Sequence, residues 1–119
     1  MADSLARASV LVHDIVDACA DLVARVDDSG SAALAALLGG AWNCGGPERL
    51  RRAEMALAVA AARGHDPALV VAAPAPSAAE RGVASPADIS MRLGKLEAAL
   101  GRRLTPFAEG LKRTFVRRG

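Results

Sequence analysis

The residues best suited to chemistry in this 119-residue sequence are cationic and polar side chains in its last third. Residues 80–119 contain nine Lys and Arg against four Asp and Glu, whereas residues 1–79 contain six Arg against nine acidic residues. The last third therefore carries a net charge of +5 and the rest −3, although the whole chain carries only +2. Such a segment attracts phosphate groups, and it is also typical of a solvated surface. The charge favours an anionic partner without identifying it.

The other candidates for catalysis or metal binding are scattered along the chain. His13 and Asp17 lie one helical turn apart. Cys19, Cys44 and His65 lack the spacing of metal ligands. Cys44 has no adjacent basic residue to activate its thiol, so packing is favoured over redox chemistry. The sequence also shows no nucleophile with a base, phosphate-binding glycine loop or convincing carboxylate pair. We therefore expect no enzymatic activity, no metal site and no cofactor.

The elements that position these residues are mostly helical. Over residues 4–26, apolar residues recur at intervals of three and four, which predicts an amphipathic helix. The apolar positions are Leu5, Val12, Ile15, Val16, Cys19, Leu22, Val23 and Val26. Asp14, Asp17 and Asp21 are expected on the solvated face. Because the apolar stripe is wider than one small module could cover, we expect this helix to mediate self-association.

Further helices are predicted in the middle of the chain. Residues 31–38 are rich in Ala and Leu, which predicts a short helix. Pro47 then opens a helix that runs to Arg63 and ends at Gly64. Residues 65–77 are rich in proline. They form either a short helix followed by a loop or a buried extended piece, and the sequence leaves both open.

Residues 86–100 carry a regular helical pattern. Their apolar positions Ile89, Leu93, Leu96 and Leu100 are spaced by four, three and four, which places them on one helix face. A short helical segment at residues 78–81 and a turn at residues 82–85 come before them, as in a helix-turn-helix. The sequence of residues 102–116 predicts a two-stranded hairpin.

Residues 78–104 resemble the winged helix-turn-helix of LysR-type transcriptional regulators. The shared positions are Ala78-Ala79-Glu80-Arg81, Ser85, Ser90, Leu96-Glu97, Leu100-Gly101 and Arg103-Leu104, without a gap. Upstream, Leu57-Ala58-Val59-Ala60 is similar to the middle of the family's first helix. The resemblance implies that the helix of residues 86–100 enters the major groove of DNA.

The chain departs from the family pattern in three respects. Residues 64–76 form an insertion between the first two helices. The wing begins Leu-Thr-Pro-Phe, where the family commonly has Leu-Phe-Glu-Arg. The family places this module first and follows it with an effector-binding domain, whereas here the module comes last. Sensing of an inducer is therefore not expected.

These patterns predict a mainly α protein with an N-terminal helical arm or hairpin in residues 1–46. Residues 47–119 are expected to form a winged helix-turn-helix-like region. The leading hypothesis is a small DNA-binding protein, a transcriptional regulator that binds double-stranded DNA as a homodimer. The alternative is a helical adaptor or subunit that binds a partner protein without nucleic-acid contact.

The residues expected to contact DNA fall into two groups. Those facing the groove are Ser85, Ser90, Met91, Arg92 and Lys95. Those contacting phosphates are Arg102, Arg103, Lys112 and Arg113.

The expected location is the cytoplasm, without membrane association. Acidic residues interrupt the N-terminal segment, which argues against a signal peptide. The longest uncharged run, residues 29–47, contains five glycines and a proline, so it is a poor membrane span.

Overall fold

The computed structural model describes residues 6–28, 39–74, 76–83 and 86–115. This part of the chain is mainly α-helical, as the sequence predicts. Its elements in order are β1 (Ala6–Arg7), α1 (Val12–Asp28), β2 (Leu50–Arg51), α2 (Arg52–Arg63), one turn of 3₁₀ helix (Pro67–Leu69), α3 (Ala78–Arg81), α4 (Gly94–Leu100) and α5 (Phe107–Thr114). The short helix expected at residues 31–38 lies outside the described residues.

Strand β1 joins three distant parts of the chain. It pairs antiparallel with β2, with Ala6 opposite Arg51 and Arg7 opposite Leu50. On the other edge, the Ala6 amide donates to the Ala87 carbonyl at 2.7 Å, and the Ile89 amide donates to the Ala6 carbonyl at 3.3 Å. Because these residues belong to the sheet, α1 begins at Val12 and not near residue 4.

Gly46 allows the loop before β2 to approach the segment after β1. Its amide donates to the carbonyl of Ala8 at 2.9 Å. A Cβ atom at Gly46 would lie 1.9 Å from the carbonyl oxygen of Ser9, far inside contact distance. Glycine is therefore required at this position for the two backbones to come so close.

A hydrophobic core joins α1 to the C-terminal half of the chain. Its buried members are Ala18, Leu93, Leu96, Leu100 and Leu104, with Leu22, Trp42 and Cys44 packed against them. The predicted burial of Leu93, Leu96 and Leu100 is confirmed. The fourth residue of that predicted face, Ile89, is 44% exposed, so its predicted burial is wrong.

The helix predicted from Pro86 begins only at Gly94. The segment before it contains the residues that pair with β1. There, Asp88 accepts a hydrogen bond from the Ser90 amide at 2.8 Å and pairs with Arg49 at 2.6 Å. Because this backbone is already bonded to distant parts of the chain, it does not continue the helix. The predicted start of the helix is therefore wrong.

The short helix α3 forms where the sequence predicts it. The Ser77 hydroxyl accepts a hydrogen bond from the Glu80 amide at 3.2 Å. A Glu80 carboxylate oxygen accepts one in return from the Ser77 amide at 2.6 Å. This reciprocal capping box stabilises the first turn. Gly82 ends the helix with a φ of 72°, a left-handed conformation that glycine adopts without strain.

Residues 107–114 form helix α5, so the predicted hairpin is wrong for this segment. The Phe107 amide at the start of α5 donates to a carboxylate oxygen of Glu48 at 2.6 Å. A carboxylate at this position satisfies an amide that has no partner within the helix. Helix α5 packs against α2, and nearby the Arg63 guanidinium lies 5.0 Å from the centre of the Phe115 ring.

Helix α2 starts at Arg52, later than predicted, because β2 comes directly before it. It ends at Gly64 with a φ of 71°, as the sequence predicts. The proline-rich segment that follows forms one 3₁₀ turn, in which Asp66 accepts a main-chain hydrogen bond at 2.9 Å. Residues 71–74 after the turn are not helical and are exposed, with Val71 at 84% exposure. The alternative of a buried extended piece is therefore wrong.

Candidate functional site: the outward face of helix α1

Asp14 sets the orientation of α1, because its side chain is only 2% exposed. One carboxylate oxygen accepts a hydrogen bond from the Thr105 amide at 2.6 Å, and the other accepts from the Thr105 hydroxyl at 2.8 Å. Both oxygens are thus satisfied inside the protein. The prediction that Asp14 lies on a solvated face is wrong, since its partner stands 91 residues away in the sequence.

Two residues further along α1 face the same way. Ala18 is 4% exposed and belongs to the core. Asp21 pairs with Arg102 at 3.3 Å. Asp14, Ala18 and Asp21 are spaced by four and three, so they share one helix face. This face is turned towards the C-terminal half of the protein.

The opposite face of α1 is apolar and turned outward. Its six residues, named here the outer stripe, are Val12, Ile15, Val16, Cys19, Ala20 and Val23. The three valines are 63%, 61% and 63% exposed, and the isoleucine is 37% exposed. With 3.6 residues per turn, the six side chains occupy an arc of about 140°. Among the side chains described from residue 12 to residue 25, no charged one lies within this arc. A continuous apolar strip of this kind is typical of a contact surface.

Four of the residues expected to contact DNA are exposed and cationic. They are Arg92, expected to face the groove, and Arg103, Lys112 and Arg113, expected to contact phosphates. Within the described part of the chain, the three arginines make no ion pair, whereas Lys112 pairs with Glu109 at 3.6 Å. Arg103 and Arg113 line a cleft together with Glu48 and Glu109. The surface at this cleft therefore carries both signs of charge.

Two other predicted DNA contacts are engaged within the protein. The Lys95 ammonium lies 4.3 Å from the centre of the Trp42 ring. It also donates to the carbonyls of Gly39 at 3.0 Å and Ala41 at 3.2 Å. Through these three contacts, Lys95 holds the loop around Trp42 against α4. Arg102 is bonded to α1, as described above.

The other residues predicted to face the groove do not share a helix. Ser90, Met91 and Arg92 precede α4 in a non-helical segment, and the Met91 side chain lies beside Gly45. The prediction that one helix presents these three residues is wrong. Ser85 lies outside the described residues.

A negative charge lies close to Ser90. The pKa of Asp88 is lowered from 3.8 to about 2, first by the hydrogen bond from the Ser90 amide, then by the Ser90 hydroxyl and by Arg49. The carboxylate is therefore ionised at neutral pH. Its charge repels phosphate, which disfavours a DNA contact at Ser90.

Cys44 is partly buried against the core. Burial raises the pKa of its thiol above the usual value, and interactions with Cys19 and Asp14 raise it further. A protonated thiol is a poor nucleophile. The packing interpretation of Cys44 is thus supported, and Cys19 is the exposed cysteine of the two.

The described residues contain no cluster of three or more His, Cys, Asp and Glu side chains arranged to hold a metal ion. None of the helices in this part of the chain has the length and apolar character needed to cross a membrane.

Comparisons with known protein families, with curated proteins and with solved structures found no match to this chain. The resemblance to LysR-type regulators therefore stays a prediction. The arrangement of side chains on α1 and on the C-terminal surface is the basis for the proposals that follow.

Proposed function

We propose that this chain is a helical subunit that binds another protein through the outer stripe of α1. The observation that carries this proposal is the orientation of the helix, with Asp14 and Ala18 buried and the valines of the outer stripe in solvent. An amphipathic helix that served only the fold would face the other way.

The contacts of α1 keep the helix in this orientation. Turning the valines inward would break both hydrogen bonds between Asp14 and Thr105 and would remove Ala18 from the core. The outer stripe thus stays in water until another surface covers it. Burial of apolar surface is favourable by about 25 cal/mol per Å². A helix on another protein that carries an uncharged apolar stripe of its own would match the outer stripe in both chemistry and shape.

Attachment of a photo-reactive cross-linker to Cys19 tests the proposal. The Cys44→Ser variant leaves Cys19 as the sole site of attachment, within the outer stripe. Irradiation in cells that produce the full chain should give a covalent adduct with the bound protein. Adding Val16→Asp should lower the adduct yield about tenfold or more, because burying an unpaired carboxylate costs more than about 1.4 kcal/mol.

Ala24→Asp is the matched control for this experiment. Ala24 is exposed and lies on α1 outside the outer stripe, so the substitution adds the same charge to the same helix. Its adduct yield should stay within about twofold of the parent, as expected for a surface change of less than about 0.5 kcal/mol. Equal yields from the Val16 and Ala24 variants, with helix content preserved in both, would contradict binding through the outer stripe.

A second candidate function is DNA binding by the C-terminal region, as in a transcriptional regulator. The observation that favours it is the exposure of Arg92, Arg103 and Arg113 without ion pairs in the described part of the chain. In this proposal, a variant of the winged helix-turn-helix holds double-stranded DNA, and α5 occupies the place of the wing. The phosphate contacts come from Arg103, Lys112 and Arg113, since Arg102 is paired with Asp21.

Two arginine variants test the DNA proposal. Arg113→Ala should weaken binding to all duplexes alike and make the salt dependence shallower by about one unit, as expected for the loss of a phosphate contact. Arg92→Ala should cost about 1–3 kcal/mol on a preferred site only, if Arg92 reads a guanine edge. Mobility shifts at several salt concentrations measure both effects. Absence of duplex binding by the wild-type chain at about 50 mM salt, where nonspecific attraction is strong, would contradict this function.

A further inference from the structure

We infer that residues 70–74 are a cleavage site for an endopeptidase that accepts small aliphatic side chains, and that the two products stay bound to each other as one folded unit. This inference goes beyond the proposed function, because it does not depend on what covers the outer stripe.

The main chain of this segment is open to a protease. In the 3₁₀ turn before it, the Val70 amide donates to the Pro67 carbonyl at 3.0 Å. Val70 has an extended backbone, with a φ of −92° and a ψ of 109°. Residues 71–74 are all exposed, and their main-chain groups make no hydrogen bond to any described residue. Proteolysis is favoured where exposed backbone has no hydrogen bonds to lose. The segment can therefore enter a protease cleft with little unfolding.

The side chains of the segment select the class of protease. Residues 70–73 are two valines followed by two alanines, and no charged residue stands between Asp66 and Glu80. A protease whose specificity pocket requires a charged side chain finds no site here, whereas the small pocket of an elastase-type enzyme accepts valine and alanine. The amide bond to Pro74 has no N–H, so it is a poor substrate bond. We therefore expect the cut at one of the three peptide bonds within residues 70–73.

The cleavage step is a hydrolysis that consumes one water molecule. The peptide C–N bond breaks, and the water oxygen bonds to the carbonyl carbon. One product ends in the new carboxylate, and the other begins with the new ammonium group. The N-terminal product carries β1, α1, β2 and α2, while the C-terminal product carries α3, α4 and α5.

Contacts across the cut hold the two products together. Helix α4 packs against α1, and α5 packs against α2. The segment before α4 is hydrogen-bonded to β1. The pairs Asp14–Thr105 and Arg49–Asp88 also join one product to the other. Separation of the products would expose the core that both of them line, and exposure of apolar surface to water is unfavourable.

The same contacts preserve the direction of α1 after cleavage. Asp14 keeps its partner Thr105, and Ala18 keeps its place among the buried leucines. The outer stripe therefore stays exposed on the cleaved protein.

Limited digestion of the full chain with elastase tests the site. Residues 57–61 are a matched control within the same molecule. They read Leu-Ala-Val-Ala-Ala and lie in α2, whereas residues 69–73 read Leu-Val-Val-Ala-Ala. The native chain should be cut within residues 70–73 about tenfold or more faster than within residues 57–61, because a helix must open before a protease can bind it. Peptides of the two sequences, which lack the fold, should be cut at similar rates.

A chain with Val71→Pro, Ala72→Pro and Ala73→Pro removes the bonds that we expect to be cut. The three amides that it deletes have no partner among the described residues, and the extended backbone of Val70 suits a residue before proline. The helical circular dichroism signal should therefore be retained. Cutting within residues 70–74 should become about tenfold or more slower, since each of these bonds then precedes a proline.

Size-exclusion chromatography of the cut chain tests the bound state of the products. They should elute together at the position of the intact chain, keep its helical circular dichroism signal, and separate in concentrated urea. Mass spectrometry identifies the cut bond in each sample.

Each outcome decides a separate point. Equal cutting of residues 57–61 and 70–73 in the native chain would overturn the cleavage site, whether or not the proline variant folds. A folded proline variant that yields the same products at the same rate would overturn it as well. Products that elute separately without urea would overturn the bound pair.

Discussion

Leu96→Ala should lower the free energy of unfolding by about 2–5 kcal/mol. Leu96 is 3% exposed and lies in the cluster that joins α1 to α4. Truncation removes its buried methyl groups and leaves a cavity that the neighbouring helices cannot fully close. Urea denaturation followed by the helical circular dichroism signal measures the change.

Leu69→Ala is the matched control, because it makes the same chemical change at a position that is 75% exposed. Its effect should stay within about 0.5 kcal/mol. A loss below that limit for Leu96→Ala would contradict the core position of α4. The same result would also contradict the packing of Ala18 in this core, which holds α1 in place.

Asp14→Asn should destabilise the protein by about 1.5–3 kcal/mol, the range for hydrogen bonds to a charged group. The substitution keeps the shape of the side chain but leaves one acceptor oxygen where Asp14 has two. One of the two donors on Thr105, the amide or the hydroxyl, then loses its partner in a buried environment. Hydrogen exchange should become faster along α1, since Asp14 holds the orientation of that helix.

Asp17→Asn serves as the control for the loss of charge. Asp17 is exposed and lies less than one turn away on the same helix. Its stability should change by no more than about 0.5 kcal/mol. Equal effects at Asp14 and Asp17 would show that the contact with Thr105 does not hold α1, and the outward direction of the stripe would lose its explanation.

The helical character of the chain is determined by local sequence. Apolar residues at intervals of three and four predict α1 and α4, and Pro47 and Gly64 predict α2, although the first residues of these helices are not predicted correctly. Gly64, Gly82 and Gly101 end three helices with positive φ angles. The short-range spacing also determines which leucines of α4 face inward, since Leu93, Leu96 and Leu100 are buried together. These features depend on residues within one or two turns of each other, so they can be predicted from the sequence.

The outer stripe is visible in the sequence, but its direction is not. An apolar face and an aspartate face on one helix normally predict that the apolar face is buried. Here Thr105 satisfies Asp14 and Arg102 satisfies Asp21, and both partners are far away in the chain. The contacts of the cationic residues cannot be predicted from the sequence either. Lys95 meets Trp42, and Arg102 meets α1, only in the folded chain.

Tertiary contacts determine the conformation of two segments. The residues around Asp88 have helical periodicity but pair with β1, and the expected wing residues form α5 with Glu48 at its first amide. Intrinsic preferences amount to less than about 1 kcal/mol per residue for most residues, so a few hydrogen bonds and ion pairs from distant residues outweigh them. Local sequence therefore determined that the chain is helical and where several of its helices end. Only the tertiary structure decided where α4 begins, which face of α1 meets water and which charged residues are engaged, because each depends on partners distant in sequence.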